Sequence, residues 1–327
     1  MNILITGGAG FLGTLLAREI LRRDRLCGET VSSLTLADRV APTHPELLNH
    51  PKVRVDTGDL LERMASLFER EFDAVFHLAS AVSGECESDF DLGLRSNLDT
   101  TRSLLDRLRA QQIRSGRAPV FFFASSVAVF GSDPAIPMPS VVTDQTLPTP
   151  QSSYGIHKFI CEQLVADYTR KGFIDGRVAR LMTVSVRPGR PNGAASSFLS
   201  GIVREPLAGM PSRCPVSLDT PVALSSPNTS IAGVLAVVEA TREAFGGRTA
   251  LNLPALSVTV GEMLQALREV AGDQVANLVN LEPDAAIMRI VGGWPARFEC
   301  ERTRRLGLKA DPSYQYIIRQ YIEMTGA

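Results

Sequence analysis

The sequence predicts an α/β fold, an open and doubly wound parallel sheet with helices on both faces, followed by a smaller α/β lobe. Three observations predict it. Short apolar runs alternate with segments of helical periodicity through the first two thirds of the chain, the pattern of a parallel sheet covered on both faces. The first apolar run passes directly into a glycine-spaced turn and then an apolar-periodic helix. After Pro188 the texture changes, with Pro and Gly clustered at 187–193 and 205–227 and strands becoming short and scattered, which marks a second region.

Taken in order, strands are expected at 2–6, 33–38, 52–55, 74–78, 120–125 and 177–186. Helices are expected between them at 12–23, 60–68, 91–114 and 154–170. Helices at 196–207, 229–245, 259–270 and 312–324 belong to a lobe lying over the carboxyl ends of the strands, where open α/β sheets bind their ligands.

The glycine turn carries the first chemical signal. Gly7, Gly10 and Gly13 sit three apart in Ile-Thr-Gly-Gly-Ala-Gly-Phe-Leu-Gly, residues 5–13. Without Cβ atoms the backbone can turn tightly, approach a pyrophosphate and let the helix pack on the strand. The first-turn amides at Phe11 and Leu12 then face the anionic phosphates. Asp38 ends the second strand at the separation where a carboxylate accepts from both adenosine ribose hydroxyls and repels a 2′-phosphate, which favours NAD over NADP. Arg39 is either a solvated loop charge or an acceptor of that phosphate. Asp59, followed by Leu60, either accepts from the adenine amino group or caps the helix that follows. These features make residues 1–187 a Rossmann-type NAD-binding domain. Residues 188–327 are mainly a substrate-binding lobe, some of whose segments are free to return to the sheet.

Composition narrows the partners. The 327 residues carry 34 Lys plus Arg against 35 Asp plus Glu, without a long basic run, which argues against nucleic acid or an anionic membrane surface. Five cysteines lie far apart with no Cys-x-x-Cys pair, so neither a disulfide framework nor a metal site is expected. The chain enters its first strand at once and has no apolar run of membrane-spanning length, and a cytoplasmic protein is expected.

Tyr154 and Lys158 stand four apart on one expected helix and share a face. A nearby ammonium and a positive nicotinamide ring would favour the phenolate, making Tyr154 a general base for an alcohol. Upstream, the apolar run Phe121-Phe122-Phe123-Ala124 ends in Ser125 and Ser126, where a hydroxyl can hold a substrate oxygen.

In order along 1–193, Gly7/Gly10/Gly13, Asp38, Asp59, Phe76-His77-Leu78-Ala79, Asn97, Ser126, Tyr154 and Lys158 together resemble the extended short-chain dehydrogenases/reductases, the branch containing UDP-galactose 4-epimerase and sugar-nucleotide dehydratases. The resemblance implies Tyr154 as acid/base, Lys158 as ribose anchor and pKa modifier, and Ser126 as substrate-oxygen partner. Ser126 is favoured over Ser125 because it lies four residues before Phe130, where the family usually has a Tyr. It also implies cofactor contacts at Leu60, Leu78, Ala79, Ser80, Asn97 and Pro188, a core role for His77, a solvated His157 and a homodimer packed through the helices near 91–114 and 154–170.

The chain departs from the epimerases where they have Arg-Tyr-Phe-Asn-Pro followed by Gly. It reads Arg187-Pro188-Gly189-Arg190-Pro191-Asn192-Gly193, and Arg190 is a candidate anchor for a substrate carboxylate. Ser83, Asn192 and Ser196 are further pocket candidates. The segments 80–85, 150–154, 185–189, 204–209 and 292–298 are similar to a branch of this family that oxidises C2 of the four-carbon sugar acid D-erythronate with NAD. The activity so implied is D-erythronate to 2-oxo-D-erythronate. Its rivals are sugar-nucleotide epimerisation or dehydration, with no net NADH, and a non-catalytic NAD-binding sensor.

Overall fold

The structure, a computed structural model, describes residues 1–189 and 194–326. Its centre is a sheet built from β1 (Asn2–Thr6), β2 (Ser33–Asp38), β3 (Val53–Thr57), β4 (Ala74–His77), β5 (Val120–Ser126), β6 (Asp175–Leu181) and, much later in the chain, Leu251–Asn252. All neighbouring pairs are parallel. The order runs from Leu251–Asn252 through β6, β5, β4, β1 and β2 to β3. The chain winds outward from β1 to β3, returns to β4 beside β1, and winds outward the other way. A crevice is therefore forced open at the carboxyl ends of β1 and β4.

The inner strands β1, β2, β4 and β5 are buried on both faces, which is why they read as apolar runs rather than alternating ones, whereas β3 at the edge is largely exposed. Ile3, Ile5, Leu34, Leu36, Phe76 and Phe122 point to one face. They pack against Leu16 and Ile20 of α1 (Phe11–Arg23), and against Ile231, Val234 and Val238 of a helix at Pro227–Glu239. Leu4, Val75, Phe121 and Phe123 point to the other face. They meet Met64 and Leu67 of α2 (Leu60–Leu67), Leu104 and Leu108 of a helix at Thr100–Ser115, and Cys161 and Val165 of a helix at Ser153–Arg170.

The lobe has its own core. Thr183–Val184, Pro221–Ser225 and Leu256–Thr259 form a three-stranded sheet. Val186, Ile202, Leu224, Met263, Leu267, Ile317 and Ile318 join it to helices Phe198–Leu207, Val260–Ala271 and Tyr314–Thr325.

Several elements differ from the sequence expectation. The run at 177–186 is two strands: β6 ends at Leu181, and after Met182 the chain pairs with the lobe sheet instead. The helix expected over 91–114 starts as Phe90–Gly93, winds as a π-helix over Leu94–Asp99 and becomes α-helical at Thr100. The helix expected over 229–245 breaks at Ala240, whose ψ is 138°, and a short turn at Arg242–Phe245 starts afresh, with the Thr241 hydroxyl accepting from the Ala244 N–H at 3.2 Å. The strand Leu251–Asn252 was not expected, since two residues carry no periodicity. His157, expected in solvent, is 2% exposed and lies against Phe90, with ring centroids 6.3 Å apart.

Candidate active site

The crevice between domain and lobe is a cleft of about 530 Å³. Of the residues singled out from sequence, Gly7, Gly10, Phe11, Leu12, Gly13, Asp38, Asp59, Leu60, Leu78, Ala79, Ser80, Ser83, Ser126, Tyr154, Lys158 and Ser196 all border it. They come from seven separate stretches of chain, brought together because each lies at the carboxyl end of a strand, in the loop that follows or in the opening turns of the next helix.

At one end stands the glycine turn. A Cβ on Gly13 would lie 2.1 Å from the Gly7 carbonyl oxygen, so only glycine lets α1 start this close to β1. Gly10 begins α1 without any side-chain cap. The first-turn amides of α1 thus open on the cleft uncapped, a cradle for a pyrophosphate. Asp38 is held in place beside it, one carboxylate oxygen accepting from the Ala9 N–H at 3.0 Å and the other from the Arg39 N–H at 2.7 Å. These residues fit NAD. Asp59 is the N-cap of α2, accepting from the Leu61 N–H at 2.9 Å, and its carboxylate also pairs with Arg95 at 3.2 Å. Of the two readings of Asp59, the cap is what its hydrogen bonding displays.

Two expected cofactor contacts are placed elsewhere. Asn97 is 3% exposed and sits behind the cleft wall, accepting from the Ala81 N–H at 2.8 Å and the Ser80 hydroxyl at 3.0 Å. The loop after β4 is thus shaped by Asn97, whose amide is consumed there. Pro188 is not on the wall either. At that point the wall is Arg187, whose N–H donates to the Ser200 hydroxyl at 3.0 Å and whose carbonyl accepts from Arg204 at 2.9 Å. Arg190 and Asn192 lie outside the described residues.

The reactive end is assembled on α5 (Ser153–Arg170), which follows α3 (Phe90–Gly93) and α4 (Thr100–Ser115) in the chain. Ser152 caps α5 by accepting from the Gly155 N–H at 3.2 Å, a contact worth about 1 kcal/mol, and this sets Tyr154 in the first turn. A Cβ on Gly155 would lie 2.1 Å from the Ala128 carbonyl oxygen, so glycine between Tyr154 and Lys158 is what lets α5 press against the end of β5. One turn on, the buried Lys158 ammonium donates to the Ala124 carbonyl at 2.8 Å and lies 5.5 Å from the Tyr154 ring centroid.

The two serines at the end of β5 have different surroundings. The Ser125 hydroxyl donates to Glu162 at 2.5 Å inside the core. Ser126 borders the cleft together with Tyr154, and its oxygen accepts from the Ala128 N–H at 3.1 Å. Burial pushes the Tyr154 phenol up to about 12, while the Ser126 hydroxyl and the Arg187 guanidinium pull it down. Burial also pushes the Lys158 ammonium down to about 8. The chain's own groups hold the phenol above its ordinary value because desolvation outweighs the flanking donors, and the positive nicotinamide ring is the further group expected to lower it.

Beneath the cleft His77 is a neutral core residue. Thr101 donates its hydroxyl proton to the Asn97 carbonyl at 2.6 Å, so at 3.0 Å it can only accept from His77 Nε2–H. Nδ1 is then left to accept from Thr6 at 2.6 Å.

Sequence reasoning did not single out Arg187, Arg95, Glu85 or Trp294, which also border the cleft. The available signal for Arg187 was a charge at the end of an apolar strand, directly before Pro-Gly. Among the described residues no three His, Cys, Asp or Glu side chains gather where they could hold a metal ion, and no helix is long and apolar enough to cross a membrane.

Comparison with known proteins agrees with this architecture. The chain is 49% identical over its whole length to D-erythronate dehydrogenase of Cupriavidus necator, covering 99% of that protein. It is 41% identical to D-erythronate dehydrogenase of Haemophilus influenzae, over 99% of each chain. A crystal structure described as a nucleoside-diphosphate-sugar epimerase from Agrobacterium tumefaciens superposes with a TM-score of 0.92 at 40% identity, over 99% of this chain and 94% of that one. The NAD dependent epimerase/dehydratase family matches residues 3–245, and with the glycine turn, Asp38 and the Tyr154/Lys158 helix in place the chain belongs to that family.

Proposed function

We propose that this protein oxidises the C2 hydroxyl of D-erythronate to 2-oxo-D-erythronate, with Tyr154 as general base. The observation that carries the proposal is the full-length identity to two D-erythronate dehydrogenases, joined to a cleft where Tyr154, Ser126 and Lys158 converge. When bound, NAD supplies the hydride acceptor. The chain's residues do the rest. Gly7, Gly10 and Gly13 cradle the phosphates, and Asp38 accepts from the ribose hydroxyls. Ser126 holds the C2 oxygen, and Tyr154 takes its proton. Lys158, fixed by the Ala124 carbonyl, stands by the ring and favours the phenolate.

The solved relative described as an epimerase keeps a second reading in view, in which a sugar nucleotide is the substrate and no net NADH accumulates. Purified protein with NAD is expected to generate NADH from D-erythronate, and Tyr154→Phe to lose about a thousandfold in kcat while NAD affinity holds within a factor of about two. Absence of NADH with D-erythronate refutes the assignment, and a fully active Tyr154→Phe removes the base role.

We also propose a homodimer through the outer face of α5. Ile156 and Ile160, one turn apart, are 44% and 38% exposed, and Phe90 beside them is 60% exposed, an apolar strip that a second copy would cover. Sedimentation at micromolar concentration reads this directly, and a monomer refutes it.

A further inference from the structure

We propose that Arg187 captures the carboxylate of the substrate and so makes the enzyme select 2-hydroxy acids over neutral polyols. This rests on the sugar-acid reading above. In a 2-hydroxy acid the carboxylate carbon is bonded to the carbon that loses the hydride. Its binding group must therefore stand beside the base, not at the far rim of the pocket.

Arg187 meets that requirement. It borders the cleft together with Tyr154 and Ser126, and its guanidinium is near enough to favour the Tyr154 phenolate. The cleft's other described guanidiniums, Arg39 and Arg95, follow Asp38 and pair with Asp59 respectively, at the adenosine end. Arg187 also has no acidic partner among the described residues. Its Nη2 is buried without a hydrogen bond, and the adjoining Glu205 carboxylate is bound to Arg204 at 2.5 Å. That carboxylate serves Arg204, so the positive charge of Arg187 is left without a counter-ion among the described residues where it borders the cleft. A half-buried cation with an unpartnered donor is a site for an anion, and the planar fork matches the two oxygens of a carboxylate.

The position is also preorganised. The Arg187 N–H is held by Ser200 at 3.0 Å and its carbonyl by Arg204 at 2.9 Å, both from the helix Phe198–Leu207. Little backbone freedom remains to be lost on binding.

The experiment titrates the NADH-bound enzyme calorimetrically with D-erythronate and with its neutral amide, in the wild type, Arg187→Met and Arg187→Lys. Turnover of both compounds with NAD is measured in parallel. Arg187→Met is expected to weaken acid binding about a hundredfold while leaving the amide and NADH within twofold. Arg187→Lys is expected to weaken the acid about tenfold, keeping the charge but losing the fork. Acid binding within threefold of wild type in Arg187→Met, or acid and amide weakened alike, overturns the proposal. Should Arg187→Met fail to bind NADH, Arg187→Lys decides by the same acid-to-amide comparison. Acid binding that depends on Arg187 without NADH formation sinks the assigned reaction and keeps the anchor. NADH formation indifferent to Arg187 does the reverse, and a wild type that neither binds nor oxidises the acid overturns both.

Discussion

Replacing Glu162 with leucine is expected to destabilise the protein by about 3–5 kcal/mol, far beyond an ordinary core substitution, because it strands a buried cation. Glu162 is 2% exposed and takes three hydrogen bonds, from Arg180 Nη2 at 2.7 Å, Arg180 Nε at 2.9 Å and the Ser125 hydroxyl at 2.5 Å. Arg180 is 7% exposed, lies 4.9 Å over the Phe130 ring, and otherwise reaches only the Asn252 amide oxygen at 3.3 Å among the described residues. Remove the carboxylate and the guanidinium stays buried without a counter-ion. Remove both charges, as in Glu162→Leu with Arg180→Met, and the penalty largely disappears, since a well-packed apolar pair replaces a buried ion pair at little cost. Guanidinium chloride unfolding of the four proteins in this cycle, followed by circular dichroism, should return a coupling of about 2 kcal/mol or more. Because Glu162 follows Lys158 by one turn of α5 and Ser125 adjoins Ser126, the single variant should also lower kcat several-fold with NAD affinity retained. A single variant within about 1 kcal/mol of wild type, or a double variant whose loss equals the sum of the singles, refutes the reasoning.

Gly13→Ala forces a methyl to 2.1 Å from the Gly7 carbonyl oxygen and 2.8 Å from Gly8 Cα, both backbone, so the turn must open. NAD affinity should fall roughly tenfold or more, and calorimetry showing it within twofold would remove the close-packing argument. His77 is held neutral by burial and by the nearby Lys158, its pKa falling from 6.5 to about 3. Below pH 6.5 the unfolded chain takes up a proton that the folded chain refuses. Stability is therefore complete above 6.5 and is lost by about 2 kcal/mol between pH 7 and pH 5, a slope expected to flatten in His77→Gln and refuted if both proteins respond equally. Asp38→Ser removes the carboxylate that repels a 2′-phosphate while leaving Arg39 beside it. The ratio of NADP to NAD affinity should rise at least about tenfold, and an unchanged ratio denies Asp38 that role.

Much of the architecture was legible before folding because it is written locally. Apolar runs mark strands buried on both faces, and the spacings of Gly7/Gly10/Gly13 and Tyr154/Lys158 imply a tight turn and a shared helix face through backbone geometry alone. Those residues do line one cleft. What the sequence could not determine is who faces whom. Ser125 and Ser126 are alike in type, yet one is tied to Glu162, 37 positions away in the core, and the other stands by Tyr154 from the same helix, because successive strand residues point to opposite faces. Asn97 and His157 read as exposed or ligand-facing residues but are buried by loops and helices that close over them. The two-residue strand at Leu251 exists only because β6 offers it an edge. The local mark of Arg187 was only a charge at the end of an apolar strand. Its meaning lies in a buried Nη2 that no neighbour satisfies at the edge of the cleft, and such a balance of charge and burial is a property of packed neighbours, not of the order of residues along the chain.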